Sequence, residues 1–198
     1  MSNLLIQNAT MVLPETTVIG DLLIMDGIIS SIRPGGGLVA SEGVATIDAT
    51  GLYLLPGMID PQVHFRDPGQ PEKEDLYTGS CAAASGGVTS FLDMPNNVPS
   101  QTTLASMHEK IETGNRRCVT NFGFFIGATE SNVEELQKAV GTPEAPIAIP
   151  GICGIKIFMG SSTGDLLVND SDALEIIFSN TAGSVSYTHL TLPTIRTV

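Results

Sequence analysis

The sequence predicts an α/β protein: an incomplete (β/α)8 TIM-type barrel of about four strand–helix units behind a small N-terminal β-sandwich module. Three observations predict it. Up to about residue 50 the apolar runs are short and punctuated by turn residues. From residue 51 onward, apolar runs of strand type alternate with helical patterns, which is how a parallel sheet covered by helices is written. No GxGxxG or GxxxxGK[ST] follows a strand, which disfavours a doubly wound nucleotide-binding sheet and leaves the barrel.

The N-terminal module reads as short strands. Leu4-Leu5-Ile6 and Met11-Val12-Leu13 flank the polar pair Gln7-Asn8. Val18 to Ile24 and Ile28 to Ile32 follow, divided by Asp26-Gly27, a strong hairpin signal. Gly35-Gly36-Gly37 reads as a loop. The first long apolar run is Leu52 to Phe65. A helix is expected from about Pro71 to Ser85, with proline near its start, acids early and Gly86-Gly87 at its end. Val88 to Met94 is the second strand. Leu104, Met107 and Ile111 share one face of a helix over 103–113, with Gly114 as its stop. Phe122 to Ala128 is the third strand, and Ser131 with Glu134 reads as a capping box for a helix ending near Gly141. Ile152 to Met159 is the fourth strand. A last helix starts near Ser171 and uses Leu174, Ile177 and Phe178.

These elements divide the chain into residues 1–53, the β-module, and 54–184, the first half of a barrel whose complete form takes roughly 250 residues. Residues 185–198 (VSYTHLTLPTIRTV) break the pattern. They contain no acidic residue and no period that fits the alternation. Val185–Thr194 is also the translation of GTC TCT TAT ACA CAT CTG ACG CTG CCG ACG, a string that resembles a transposase adapter used in sequencing libraries. The expectation is a non-native, adapter-derived tail, to be left out of fold reasoning. The alternative is a genuine fifth strand carrying His189.

Composition narrows the function classes. A net charge of −12 and a pI near 4.4 make nucleic acid and anionic membranes poor partners, since both need basic patches. Cys81, Cys118 and Cys153 are widely spaced and form no CxxC pair, which points to a reducing compartment and to small core residues rather than ligands. No apolar run approaches the ~20 residues of a membrane span. The start MSNLLIQN lacks the basic and apolar regions of a signal peptide, so cytoplasm is the expected location.

Active sites of barrels lie at the C-terminal ends of the strands. Three candidate features fall there. Alternation places Gln62, His64 and Arg66 on one face of the first strand, and a polar triplet aimed inward is costly without a function. Asp93-Met94-Pro95-Asn96 ends the second strand. Lys156, between Ile155 and Ile157, sits on an otherwise apolar fourth strand, where a buried ammonium needs a partner or a modification. His108 falls on a helix, away from the strand ends.

The motifs carry a resemblance. DPQVHFRDPG after LLPGMI resembles the signature of dihydroorotases, cyclic amidohydrolases of the amidohydrolase superfamily; GGVTSFLDMPN and GIKIFMGSSTGDLLV resemble the second and fourth strand motifs of the same family. The resemblance covers residues 3 to about 183. It implies that His64 ligates a metal and that Lys156 is carbamylated, its carbamate bridging two zinc ions. It also implies that Arg66 and Asn96 hold a substrate carboxylate. An anionic small molecule suits the planar bidentate fork of Arg66. The implied reaction is the reversible ring closure of N-carbamoyl-L-aspartate to dihydroorotate in pyrimidine biosynthesis. Allantoinases and dihydropyrimidinases are the nearest competitors, and their substrates lack the carboxylate.

The sequence departs from the family in two ways. His-x-His is replaced by Gln62-Val63-His64, and an amide oxygen is a weaker, neutral ligand. One or two ions, or none, remain open. The family's later histidine ligands and its catalytic aspartate have no counterpart in this chain, so a fragment inactive alone is expected. Two readings follow for the parent protein: an active enzyme, or a non-catalytic scaffold subunit. It would be a homo-oligomer or a partner of aspartate carbamoyltransferase.

Overall fold

A computed structural model describes residues 3–160, 162 and 165–181, and the backbone of 186–189. The chain divides into two compact units, Met1–Pro56 and Gly57–Val198.

The first unit is a five-stranded sheet of β1 (Leu4–Val12), β2 (Thr17–Met25), β3 (Ile28–Pro34), β4 (Ala45–Asp48) and β5 (Tyr53–Leu54), in the order β3-β2-β1-β4 with β5 also on β1. The two short runs expected at the start are one strand. Gln7-Asn8 is a bulge inside it, where the register against β2 shifts and Asn8 takes a φ of 61°. Asp21 supports that bulge: its carboxylate accepts from Asn8 N (2.9 Å) and Leu38 N (2.9 Å), and these bonds hold it below the usual carboxylate range. The hairpin at Asp26-Gly27 has positive φ at both residues, as a primed turn needs. The pairings of β4 and β5 with β1 are parallel. Neither was expected as a separate strand; β4 has four residues and β5 two.

The second unit alternates throughout: β6 (Met58–Val63), α1 (Leu76–Ser85), β7 (Val88–Asp93), α2 (Leu104–Arg117), β8 (Asn121–Gly127), α3 (Val133–Val140), β9 (Ile152–Phe158), α4 (Ser171–Asn180) and β10 (Ser186–His189). All pairings are parallel, in the sequential order β10-β9-β8-β7-β6. Successive helices pack on each other, so they form one layer on one face. Sequential parallel strands with helices on one side curl into a half-barrel, whereas a doubly wound sheet carries helices on both faces. Phe91, Phe124, Ile126, Ile155 and Ile157 meet Met107, Leu136, Ala173 and Ile177 in the core between sheet and helices.

Several boundaries differ from the sequence reading, each for a local reason. The run Leu52 to Phe65 is split, its first part pairing with β1 and its second forming β6. The helix expected from Pro71 begins at Leu76, because Asp75 is the N-cap, accepting from Tyr77 N and Thr78 N. Gly114 does not stop α2. It lies inside the helix, where a Cβ would come within 2.8 Å of the Phe122 ring, so it marks a close approach of helix and sheet. Ser131 and Glu134 form no capping box. Asn132 is the N-cap of α3, and its side chain instead joins Thr129, Thr102 and Gly127.

The expectation that residues 185–198 hold no strand is corrected for Ser186–His189, which pairs parallel with Ile155–Phe158. The edge of β9 is a row of backbone donors and acceptors, and a short β-prone segment suffices to pair with it. This pairing bears on backbone geometry and not on the origin of the coding DNA. The rest of the tail and the side chain of His189 lie outside the described residues. No helix among the described residues is long and apolar enough to cross a membrane.

Candidate active site at the strand ends

Side-chain direction follows from the core. Val63 and Phe65 pack into the helix-side core, as do Ile155 and Ile157. Alternation therefore puts Gln62, His64 and Lys156 on the opposite face, the inner face of the half-barrel.

The ends of β6 and β7 are joined by a dense set of hydrogen bonds. Met94 N donates to Val63 O (3.0 Å), and Arg66 N donates to Glu74 O (2.8 Å). His64 Nδ1 lies 2.8 Å from Asn96 Oδ1. A carbonyl oxygen only accepts, so Nδ1 carries the proton in this contact, and in the neutral ring Nε2 is the nitrogen that bears the lone pair. Arg66 Nη1 donates to the main-chain oxygen of the same Asn96 (3.1 Å). Asn96 thus joins His64 through its side chain and Arg66 through its backbone. Three of the residues expected in the site meet at one point.

Lys156 lies on β9, fully buried. Its Nζ is 4.7 Å from the centroid of the Phe158 ring. Burial brings its pKa from 10.5 down to about 8, so roughly a tenth of the amine is uncharged at pH 7, far more than for a free lysine. Gln62 is half-buried near the end of β6, its backbone N–H bonded to Asp60 Oδ1 (3.0 Å). His108 is exposed on α2. The three cysteines are partly buried and unpaired with each other; burial pushes the thiols of Cys118 and Cys153 up to about 11 and about 12, which leaves them unreactive.

One buried ion pair was not anticipated. Asp93, part of the candidate feature that ends the second strand, points to the helix side and is buried against Lys110 of α2, with 2.7 Å between Nζ and Oδ2. Lys110 was read over because a charged residue on a helix is assigned to solvent by default. Its spacing was the available signal: Met107, Lys110 and Gly114 fall on one stripe, and all three are buried.

Residues 53–145 match the amidohydrolase family. Over 157 residues the chain is 36% identical to a dihydroorotase of Methanosarcina mazei, covering 79% of this chain and 32% of that protein. Over 161 residues it is 34% identical to an allantoinase of Deinococcus radiodurans, covering 81% and 34%. Among solved structures, the L-hydantoinase (dihydropyrimidinase) of Arthrobacter aurescens superposes with a TM-score of 0.81 at 29% identity, over 96% of this chain and 41% of that one. The chain spans about a third of the length of the curated relatives it matches.

Members of the amidohydrolase family generally use a metal. Among the described residues no three His, Cys, Asp or Glu side chains converge into a metal-binding group. The donors present fit part of a centre: the Nε2 lone pair of His64, the amine of Lys156 as a carbamate, and weakly the neutral amide of Gln62. A complete centre is not assembled by the described residues.

Proposed function

We propose that this chain, whose residues 53–145 match the amidohydrolase family, is the N-terminal part of a dihydroorotase-type cyclic amidohydrolase, which interconverts N-carbamoyl-L-aspartate and dihydroorotate in pyrimidine biosynthesis. The observation that carries this reading is the convergence of His64, Arg66 and Asn96. Arg66 is a permanent cation with a planar fork, held in place by a backbone oxygen. It suits a substrate carboxylate, which allantoin, hydantoin and dihydrouracil do not offer.

His64 would ligate zinc through Nε2, with Asn96 fixing its tautomer. Lys156 is suited to carbamylation: the uncharged amine attacks CO2, the new N–C bond forms, and one proton is released to solvent. The carbamate then offers the anionic oxygens that a buried ammonium lacks. Zinc held there would supply Lewis-acid chemistry, activating water and polarising an amide carbonyl. The remaining ligands and the acid–base aspartate would come from sequence beyond the half-barrel, and the fragment alone is expected to be inactive.

The test is the gene product extended to the length of its relatives, obtained by amplifying the locus downstream of codon 184. It is assayed for ring closure of N-carbamoyl-L-aspartate and for metal content, with allantoin and hydantoin as competing substrates. Preference for the neutral substrates would replace this reading with a hydantoinase or allantoinase one, which the Arthrobacter neighbour and the Deinococcus relative favour. No metal and no turnover would leave the scaffold reading, for which Gln62 speaks; a partner such as aspartate carbamoyltransferase, or a second copy, would then be the object of the search.

A further inference from the structure

The hydrogen bonds around Phe65 close into a ring. Phe65 N donates to Asp93 Oδ1 (2.9 Å). Asp93 Oδ2 receives Lys110 Nζ (2.7 Å), and the same ammonium donates to Asn97 Oδ1 (2.7 Å). Asn97 Nδ2 returns to Phe65 O (3.1 Å). Asp93, Lys110 and Asn97 are all buried, and Lys110 Nζ also lies 4.7 Å from the centroid of the Phe124 ring. One ammonium on a helix therefore governs both main-chain polar groups of a single strand-end residue. That residue stands between His64 and Arg66. Its own ring is fixed as well, packed edge-on against Phe91 at 4.8 Å and seated over Gly79, where a Cβ would come within 2.7 Å of it.

We propose that Lys110 is a positioning residue: through Asp93 and Asn97 it clamps the peptide groups on either side of Phe65 and so sets the directions in which His64 and Arg66 point. The inference rests on the reading of His64 and Arg66 as site residues. A buried ion pair is by itself weak support for stability, because its desolvation offsets much of its attraction. What this pair does is geometric. β6 ends at Val63, so the ladder no longer holds Phe65; side chains from β7, the following loop and α2 hold it there, while the backbone N–H of Arg66 bonds to Glu74 O. Hydrogen-bonded support of this kind is what keeps a site residue's rotamer and tautomer single.

The test reads His64 itself, by nitrogen-15 NMR of its imidazole in the full chain, with the signal assigned by its loss in His64→Gln. The parent chain should show a single pattern with the proton on Nδ1. Lys110→Met and Asn97→Ala should each lose that single pattern, giving several sets or an exchange-broadened one. Asn97→Ala keeps the Asp93–Lys110 pair and decides the matter if Lys110→Met fails to fold. Ile177→Ala, a core truncation on α4, loosens the same unit without touching the ring and should keep the pattern. An unchanged pattern in either folded ring variant, or its loss in Ile177→Ala as well, overturns the proposal. The readout needs no turnover and no metal, so failure of the dihydroorotase reading would appear in the activity assay and not here.

Discussion

Two lysines are buried on opposite sides of the same sheet, each 4.7 Å from the centroid of a phenylalanine ring. Lys110 reaches the helix side from α2 and meets a carboxylate and an amide oxygen at 2.7 Å. Lys156 stands on β9 facing the barrel interior, where burial pulls its pKa down to about 8. The first keeps a charge inside the protein and uses it to hold backbone. The second is pushed towards giving its charge up, which is what a lysine destined for modification requires. Burial alone does not define a lysine's role.

The contrast predicts stability changes of opposite sign. Lys110→Met strands the buried carboxylate of Asp93, whose pKa burial already raises against the pull of that ammonium, and should cost about 3–5 kcal/mol in urea unfolding of the full chain. Lys156→Met replaces a desolvated ammonium with a side chain of similar length and should stabilise the metal-free chain at pH 7. A shift from 10.5 to about 8, at about 1.4 kcal/mol per unit, sets an upper figure of roughly 3 kcal/mol. Equal signs for the two variants would abolish the distinction.

The same comparison has a pH signature. The unfolded chain keeps the Lys156 proton up to 10.5, while the folded chain releases it near 8. Between these values the unfolded state binds more protons, so stability rises with pH there, and below pH 8 the full penalty of the buried charge remains. In carbonate-free buffer, the stability difference between Lys156→Met and the parent should shrink steadily from pH 8 to 10.5. A difference that stays constant over that window would show that the amine does not titrate there.

Much of this was legible in the sequence. The alternation from residue 51, the position of His64 and Arg66 at the end of the first barrel strand, and the isolation of Lys156 among isoleucines all follow from spacing and hydrophobicity. The support around Phe65 was not legible, because Asp93, Asn97 and Lys110 are brought together only when α2 packs on the sheet. Pattern reading also assigns a helical lysine to water and an inward face to every polar strand end, and Asp93 and Lys110 violate both rules together. Gln62, which the sequence marks as a departure, has its backbone N–H bonded to Asp60 Oδ1.

On the inner face, Arg66→Lys sharpens the substrate side of the comparison. Lysine keeps the charge and loses the planar fork, so a charge-assisted bond of about 1.5–3 kcal/mol is put at risk. In the extended gene product, KM for dihydroorotate should rise by about 10- to 100-fold, while any turnover of hydantoin should be unaffected. Equal losses on both substrates would mean that Arg66 supports the strand end rather than a carboxylate.

The smallest effect is expected on the helix side, at Gly114. An exposed helical glycine replaced by alanine usually gains about 1 kcal/mol from helix propensity. Here the new Cβ would meet Phe122 Cζ at 2.8 Å and Phe124 Cζ at 3.1 Å, so α2 must move away from β8. Overpacking of this kind costs about 1–3 kcal/mol, which leaves a net loss of up to about 2 kcal/mol. Gly114 lies one turn beyond Lys110 on the same buried stripe, and a displacement of α2 also lengthens the reach of Lys110 to Asp93 and Asn97. Gly114→Ala should therefore disturb the imidazole pattern of His64 as a weaker copy of Lys110→Met, while leaving the pH dependence that belongs to Lys156 intact. If Gly114→Ala stabilises the chain, the close approach of α2 to the sheet is not what sets the ammonium in place.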